Sequence, residues 1–207
     1  MSYNTNQNKY SENTQENCLL EFLDRYVYKR LYASVEFNPG KEVHFEIDIP
    51  NGTEKHVIKG QLTKSAINKP KDSFSFNVLT NTEPGWFVMP ELDTDVYVLA
   101  FIKQAKVNSY GYMKSFEDIE ELELLFIDKR EIKNYVNENI YDAAMYETAY
   151  DMRSKSTRSL FINNAMYLYY SDALADKPVD LVIKKFALDK LAYMHLLVTK
   201  ESIKELV

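Results

Sequence analysis

The stretch EVHFEIDIPNGTEKHVIKGQL, residues 42–62, decides the fold. Its first half sets Val43, Phe45, Ile47 and Ile49 against Glu42, His44, Glu46 and Asp48. That period of two is the pattern of a half-buried strand. Asn51, Gly52 and Thr53 follow as a hairpin turn, since Asn and Gly accept the left-handed angles a tight hairpin needs. The segment KHVIKGQL (55–62) is therefore expected to pair back antiparallel.

Upstream, CLLEFLDRYVYKRLY repeats Leu19, Leu20, Leu23, Tyr26, Val27 and Leu31 at three- and four-residue steps. This is one apolar stripe of a helix, stopped by the turn signal FNPG at 37–40. Residues 1–16, rich in Asn, Gln, Ser and Thr, carry almost no aliphatic side chains and read as a disordered tail.

Downstream, DSFSFNVLT (72–80) reads as a third strand, with Phe74, Phe76 and Val78 on one face. EPGW at 83–86 makes a turn, and Trp86 is read as packing over a sheet rim, with base stacking as its other use. DVYVLAFIKQ (95–104) is apolar almost throughout, as a central strand covered on both faces must be. ELELLFI (121–127) reads as a strand and DKREIKNYVNEN (128–139) as a helix, with Asp128 and Glu131 in a capping-box pattern. Residues 17–139 thus predict an α/β core: a mixed central β-sheet flanked by helices. Val57, Phe74, Phe76, Val98, Leu99, Phe101, Leu124, Leu125 and Ile127 are expected inside it.

Residues 140–207 read as a C-terminal α+β extension packed on that core. YDAAMYETAYDM has a helical pattern, and RSLFIN, AMYLYYS and VDLVIKKF are strand-like. HLLVTKESIKELV at the end echoes ELLFIDKREIKNYV. Either the strand-to-helix unit is repeated or two unrelated segments share a common pattern.

The 207-residue chain is 45% hydrophobic and carries a formal net charge of −6. A field of that sign does not draw in nucleic acid, so any polyanion contact has to be local. One cysteine, Cys18, cannot form an internal disulfide, and with no signal pattern at the start this predicts a cytoplasmic location. No apolar run is long enough for a spanning helix, so no membrane partner is expected. Gly-rich phosphate loops, CxxC pairs and GxSxG are missing, and His44, His56 and His195 have no ligand-like spacing.

Two groups of residues carry chemistry. Lys55, Lys59, Lys64, Lys69 and Lys71 fall within 17 residues that contain no Asp or Glu. Such a row either meets phosphates or protects a strand edge from aggregation. Glu46 and Asp48, two apart on a strand, share a face, and Glu21 lies off the helix's apolar stripe. Such acids either gather oxygen ligands for Mg²⁺ or simply line a wet sheet face.

The order of helix with Glu21, strand with Asp48, turn, lysine-bearing strand, aromatic strand and long apolar strand resembles the PD-(D/E)XK nuclease superfamily, whose fold is restriction-endonuclease-like. The pieces IKGQLTKS, FSFNVL, GWF, TDVYVLAFI and LELLFIDKREIKNYV carry the resemblance, and they look like those of divergent bacterial and phage members. The resemblance implies DNA binding and Mg²⁺-dependent phosphodiester cleavage. It places Asp48 and Glu21 as metal ligands with Gln61 beside them, and Lys59 or Lys64 at the scissile phosphate. The active-site motif is incomplete: Val57 stands where the acid belongs if Lys59 is the family lysine. If Gln61 fills the acid position, Thr63 stands where lysine belongs, and a one-residue slip turns a strand side chain to the other face. The alternative is a catalytically inactive phage or mobile-element accessory protein acting through protein–protein contacts, as a homo-oligomer. Tyr141, Tyr146, Tyr150, Tyr167, Tyr169 and Tyr170 would suit its interface.

Overall fold

The computed structural model describes residues 5–39, 41, 43–62, 71–81, 83–89, 93–105 and 113–206, without the side chains of 5–13, 61 and 62. Helix α1 (Thr5–Leu23) runs through a π-helical turn (Asp24–Tyr28) into the short α2 (Lys29–Leu31). Strands β1 (Val35–Phe37), β2 (Phe45–Ile49), β3 (Gly52–Leu62), β4 (Ser73–Thr80), β5 (Glu83–Pro84), β6 (Val96–Gln104) and β7 (Ile119–Asp128) follow. After them come α3 (Lys129–Asn137), α4 (Asp142–Ser154), β8 (Ser159–Phe161), β9 (Met166–Tyr170) and β10 (Val179–Lys184). The chain ends with α5 (Lys185–Leu191), β11 (Met194–Val198) and β12 (Ile203–Glu205). The protein is mixed α/β. No helix among the described residues is long and apolar enough to cross a membrane.

The chain forms two compact units. The first comprises Met1–Lys71, Asp93–Lys129 and Ala192–Val207. Its seven-stranded sheet has the order β1-β2-β3-β6-β7-β11-β12. Only β3 and β6 run parallel; every other neighbouring pair is antiparallel. The expected hairpin is β2–β3, with Ile49 opposite Gly52 and the turn at Pro50 and Asn51. Gly52 takes φ +142°, a conformation that favours glycine. β6 sits fourth of seven and is buried along almost its whole length, as its apolar sequence requires.

Leu19, Leu20, Phe22, Leu23 and Val27 of the long helix pack with Ile58, Val98, Leu124 and Phe126 of the sheet. The stripe read from the sequence is therefore the face that closes this core. The helix starts at Thr5, inside the stretch expected to be a disordered tail. Once the apolar turns nucleate a helix, extending it over residues without Gly or Pro adds one hydrogen bond per residue fixed.

The second unit comprises Asp72–Leu92 and Arg130–Leu191. Its five-stranded antiparallel sheet has the order β5-β4-β10-β9-β8. Phe74, Phe76 and Val78 of β4 are buried, with Phe76 near Trp86 and Phe87 at ring distances of 5.6 and 5.0 Å. The aromatic strand thus leaves the sheet of β2 and β3 and pairs with β10 instead, Phe76 opposite Leu181. These units differ from a division at residue 139: residues 72–92 join the later segment, and the last 16 residues return to the first sheet. The terminal echo is likewise a hairpin, β11–β12, with Leu196 opposite Glu205, and not a strand followed by a helix. The restriction-endonuclease-like arrangement stays an expectation. All nine residues expected in the core are buried.

Candidate anion-binding site

The residues that the nuclease resemblance singles out are held by local partners. Asp48 is exposed on β2 and accepts a hydrogen bond from Ser34 Oγ at 2.6 Å. Glu21, on α1, pairs with Arg25 one turn later at 2.8 Å. Val57 is completely buried, so this position faces the interior and not a ligand. Among the described residues, no three His, Cys, Asp or Glu side chains gather as a metal ion would require. The described part of the hairpin therefore does not supply the oxygen set that Mg²⁺ takes. The side chain of Gln61, and Thr63, Lys64 and Lys69 altogether, lie outside the described residues.

The remaining lysines are not as isolated as their sequence suggests. Lys55 pairs with Asp93, and its backbone N–H donates to Asp95 at 2.9 Å. The bond to Asp93 raises the Lys55 pKa above its ordinary value. The hydrogen bond to His44 holds the Glu16 carboxyl below its usual range, and Lys59 lies close enough to add to it. Lys71 is half-buried and has interactions of its own. The acids absent from residues 55–71 come from the segment just before β6 and from the helix.

Each of the three histidines is paired with a glutamate. His44 Nδ1 accepts the Ile58 N–H at 2.9 Å, so its proton is on Nε2, which meets Glu16 at 3.3 Å. His195 meets Glu123 at 2.7 Å. His56 is fully buried between Tyr28 and Glu54. Burial pushes the His56 pKa down, leaving the ring neutral. Nε2–H then donates to Glu54, and Nδ1 accepts from the Tyr28 hydroxyl. This carboxylate–imidazole–hydroxyl order is that of a nucleophilic triad. Yet Tyr28 is fully buried, and burial raises its pKa well above the ordinary value, so the phenol keeps its proton. The relay orders the core and offers no attacking oxygen to a substrate.

A different set of residues converges in the second unit, around a cavity of about 330 Å³. Tyr150, Arg153 and Ser154 reach it from α4, where their three- and four-residue spacing puts them on one face. The helix ends there in a Schellman cap. Ser156, at φ 54°, donates its N–H to Arg153 O, and Thr157 N–H reaches Met152 O at 2.8 Å. Asn81, at φ 51°, turns the β4–β5 hairpin, with its N–H on Asp176 O at 2.9 Å. Lys177, at φ 45°, closes a turn onto Leu174 O at 3.1 Å. Tyr170, at the end of β9, supplies a further wall.

Asn81, Ser156 and Lys177 are the non-glycine residues with positive φ among those described, and all three line this cavity. Each conformation has a local cause in its turn. Their convergence is what sets the place apart, because strained backbone gathers at ligand sites. Among the described residues, neither Arg153 nor Lys177 has an ion-pair partner, whereas neighbouring Lys155 pairs with Asp151 and Arg158 with Asp172. Arg153 Nη1 is buried with no hydrogen-bond partner. A buried donor left unmatched costs about 1–3 kcal/mol, and more when charged.

The electrostatic balance decides the sign of the ligand. The C-terminus of α4 contributes roughly half a negative charge. Its carbonyls at Met152 and Arg153 are already taken by the cap. Asp176 stands beside Lys177 in sequence, with Oδ1 accepting from the Asn81 side chain at 3.3 Å. Against these stand two whole cations, with the Ser156 hydroxyl and the Asn81 amide alongside, while Ser154 Oγ already donates to Asp151 O at 2.8 Å. The lining suits an oxyanion.

Sequence reasoning missed this cavity. The bases of RSKSTR, after Tyr150, were a faint signal, but Asn81 and Lys177 are brought in by tertiary turns. No protein-family model, no curated protein and no solved structure matches the chain.

Proposed function

We propose that this protein binds a phosphate-bearing ligand, held through Arg153 and Lys177 in the second unit. The observation that carries the reading is that Arg153 and Lys177, neither with an ion-pair partner among the described residues, line the same cavity. A guanidinium presents its donors in a fork that fits phosphate oxygens, and the Ser156 hydroxyl lies in the same lining. Nucleic acid or its components remain the ligand class, with the contact moved from the lysines of β3 to this cavity.

Isothermal titration of the full chain with inorganic phosphate tests the reading. Saturable binding that weakens at least tenfold in Arg153→Ala and also falls in Lys177→Ala supports it. Equal heats from all three proteins remove it.

A second reading, Mg²⁺-dependent DNA cleavage at the β2–β3 hairpin, draws support from the exposure of Asp48 on the first strand. It needs ligands beyond the described residues, and nicking of plasmid DNA lost in Asp48→Ala would favour it. The interaction-protein alternative draws on Tyr141, Tyr150 and Tyr169, which are 74%, 56% and 44% exposed.

A further inference from the structure

Charge, volume and one exposed ring narrow the ligand of this cavity. A terminal phosphate ester carries about −1.5 to −2 at pH 7, against one charge for a phosphate inside a strand. Arg153 and Lys177 together match the former. A groove that tracks a strand needs cations repeated along its length. Here the next two bases after Arg153 are already committed: Lys155 to Asp151 at 2.7 Å and Arg158 to Asp172 at 3.6 Å. The volume of about 330 Å³ is at the small end of ligand sites, which run from roughly 300 to 1,000 Å³.

Tyr150 supplies the remaining chemistry. It lies one turn before Arg153 on the same face of α4 and lines the cavity while remaining 56% exposed. Tyr170, only 5% exposed, is part of the wall. A phosphate held by Arg153 therefore sits one helical turn from a ring that is more than half exposed. Aromatic rings of this kind stack bases whatever their identity.

Resting on the phosphate-binding reading above, we infer that the cavity takes a nucleoside monophosphate group, its phosphate on Arg153 and Lys177 and its base against Tyr150. The group is supplied either by a free mononucleotide or by the 5′-phosphorylated end of a single strand. The two share this chemistry.

The experiment is competition titration of the full chain with AMP, adenosine, inorganic phosphate, and a short oligothymidylate with or without a 5′-phosphate. AMP is expected to bind about tenfold tighter than inorganic phosphate, the lower end of a stacking contribution. Tyr150→Ala should abolish that advantage and leave phosphate affinity within about twofold, while Tyr150→Phe should retain it. Arg153→Ala should weaken AMP and phosphate together. Displacement of AMP by the 5′-phosphorylated strand but not by its hydroxyl counterpart identifies a strand end as the source. Failure of both strands to displace AMP identifies the free nucleotide. AMP binding no tighter than phosphate, or a Tyr150→Ala protein that keeps the advantage, overturns the nucleoside assignment and leaves phosphate binding standing. Adenosine binding as tightly as AMP overturns the placement of the nucleotide's phosphate on Arg153 and Lys177. Absence of phosphate binding overturns both.

Discussion

The Tyr28 hydroxyl donates a hydrogen bond to Nδ1 of His56 across 2.8 Å, while Nε2–H of the same ring donates to Glu54 at 2.6 Å. Tyr28 belongs to the π-helical turn after α1, and its ring stacks on Phe45 with centroids 3.7 Å apart. Wide turns of this type often serve to aim one side chain. Tyr28→Phe keeps the stack and removes the donor, stranding a buried imidazole nitrogen. It should destabilise the protein by about 1–3 kcal/mol, read from urea unfolding at unchanged slope. Tyr28→Leu, which also loses the stack, should cost more.

The same cluster sets a pH window for stability. Burial holds His56 below its ordinary 6.5, so between the two values the unfolded chain binds more protons than the folded one. Stability must then decline as pH drops through 6.5. Glu16, lowered from 4.5 by its bond to His44, adds stability that is lost as pH falls through its lowered value. At the other end, burial raises Tyr28, Tyr193 and Tyr32, the last to about 12, from an ordinary value of 10.0. The unfolded chain sheds those phenolic protons first, so stability also declines above pH 10. Urea midpoints should therefore be highest between the two limits. His56→Gln should flatten the limb just below pH 6.5, and an unaltered limb would assign it to other groups.

Two glycines are expected to differ in tolerance. A Cβ on Gly85 would stand 2.2 Å from the backbone oxygen of Asn77, in β4. A Cβ on Gly60 would meet only the Leu19 methyl at 2.6 Å and the Ile102 methyl at 3.1 Å, both at flexible ends. Gly85→Ala must displace a strand and should cost roughly 3 kcal/mol, the upper part of the overpacking range. Gly60→Ala should cost less, and thermal denaturation of the two variants would rank them.

What the sequence made legible is whatever depends on neighbours within one element. The alternation of Phe45 and Ile47 and the unbroken apolar run of β6 each fixed an element and its burial, and the Asn51-Gly52 signal placed the hairpin to within one residue of its turn at Pro50 and Asn51. Long-range choice was not legible. The alternation of Phe74, Phe76 and Val78 fits any half-buried strand, and only β10 decides which sheet it joins. Lys55 appeared unopposed because Asp93 arrives from another segment. The terminal echo misled because a strand followed by a polar turn looks alike whether a helix or a second strand comes next. The cavity was hidden for the same reason: a helix end, a hairpin and a turn meet only in the folded unit.

Asp48 offers a check on the rival site. Its carboxylate binds Ser34 Oγ on an exposed surface, and the described residues add no second and third metal ligand around it. Asp48→Ala should leave phosphate affinity unchanged and shift stability by less than about 1 kcal/mol. Loss of phosphate binding in this variant would move the site to the β2–β3 hairpin.

The central claim is that Arg153 and Lys177 together hold a phosphate group. Crystals of the full chain soaked in tungstate, a heavy tetrahedral stand-in for phosphate, test it most directly by anomalous scattering. The account predicts a peak within hydrogen-bonding reach of the Arg153 guanidinium and Lys177 Nζ, absent in Arg153→Ala crystals. A peak confined to other lysines, or none at this cavity, would contradict it.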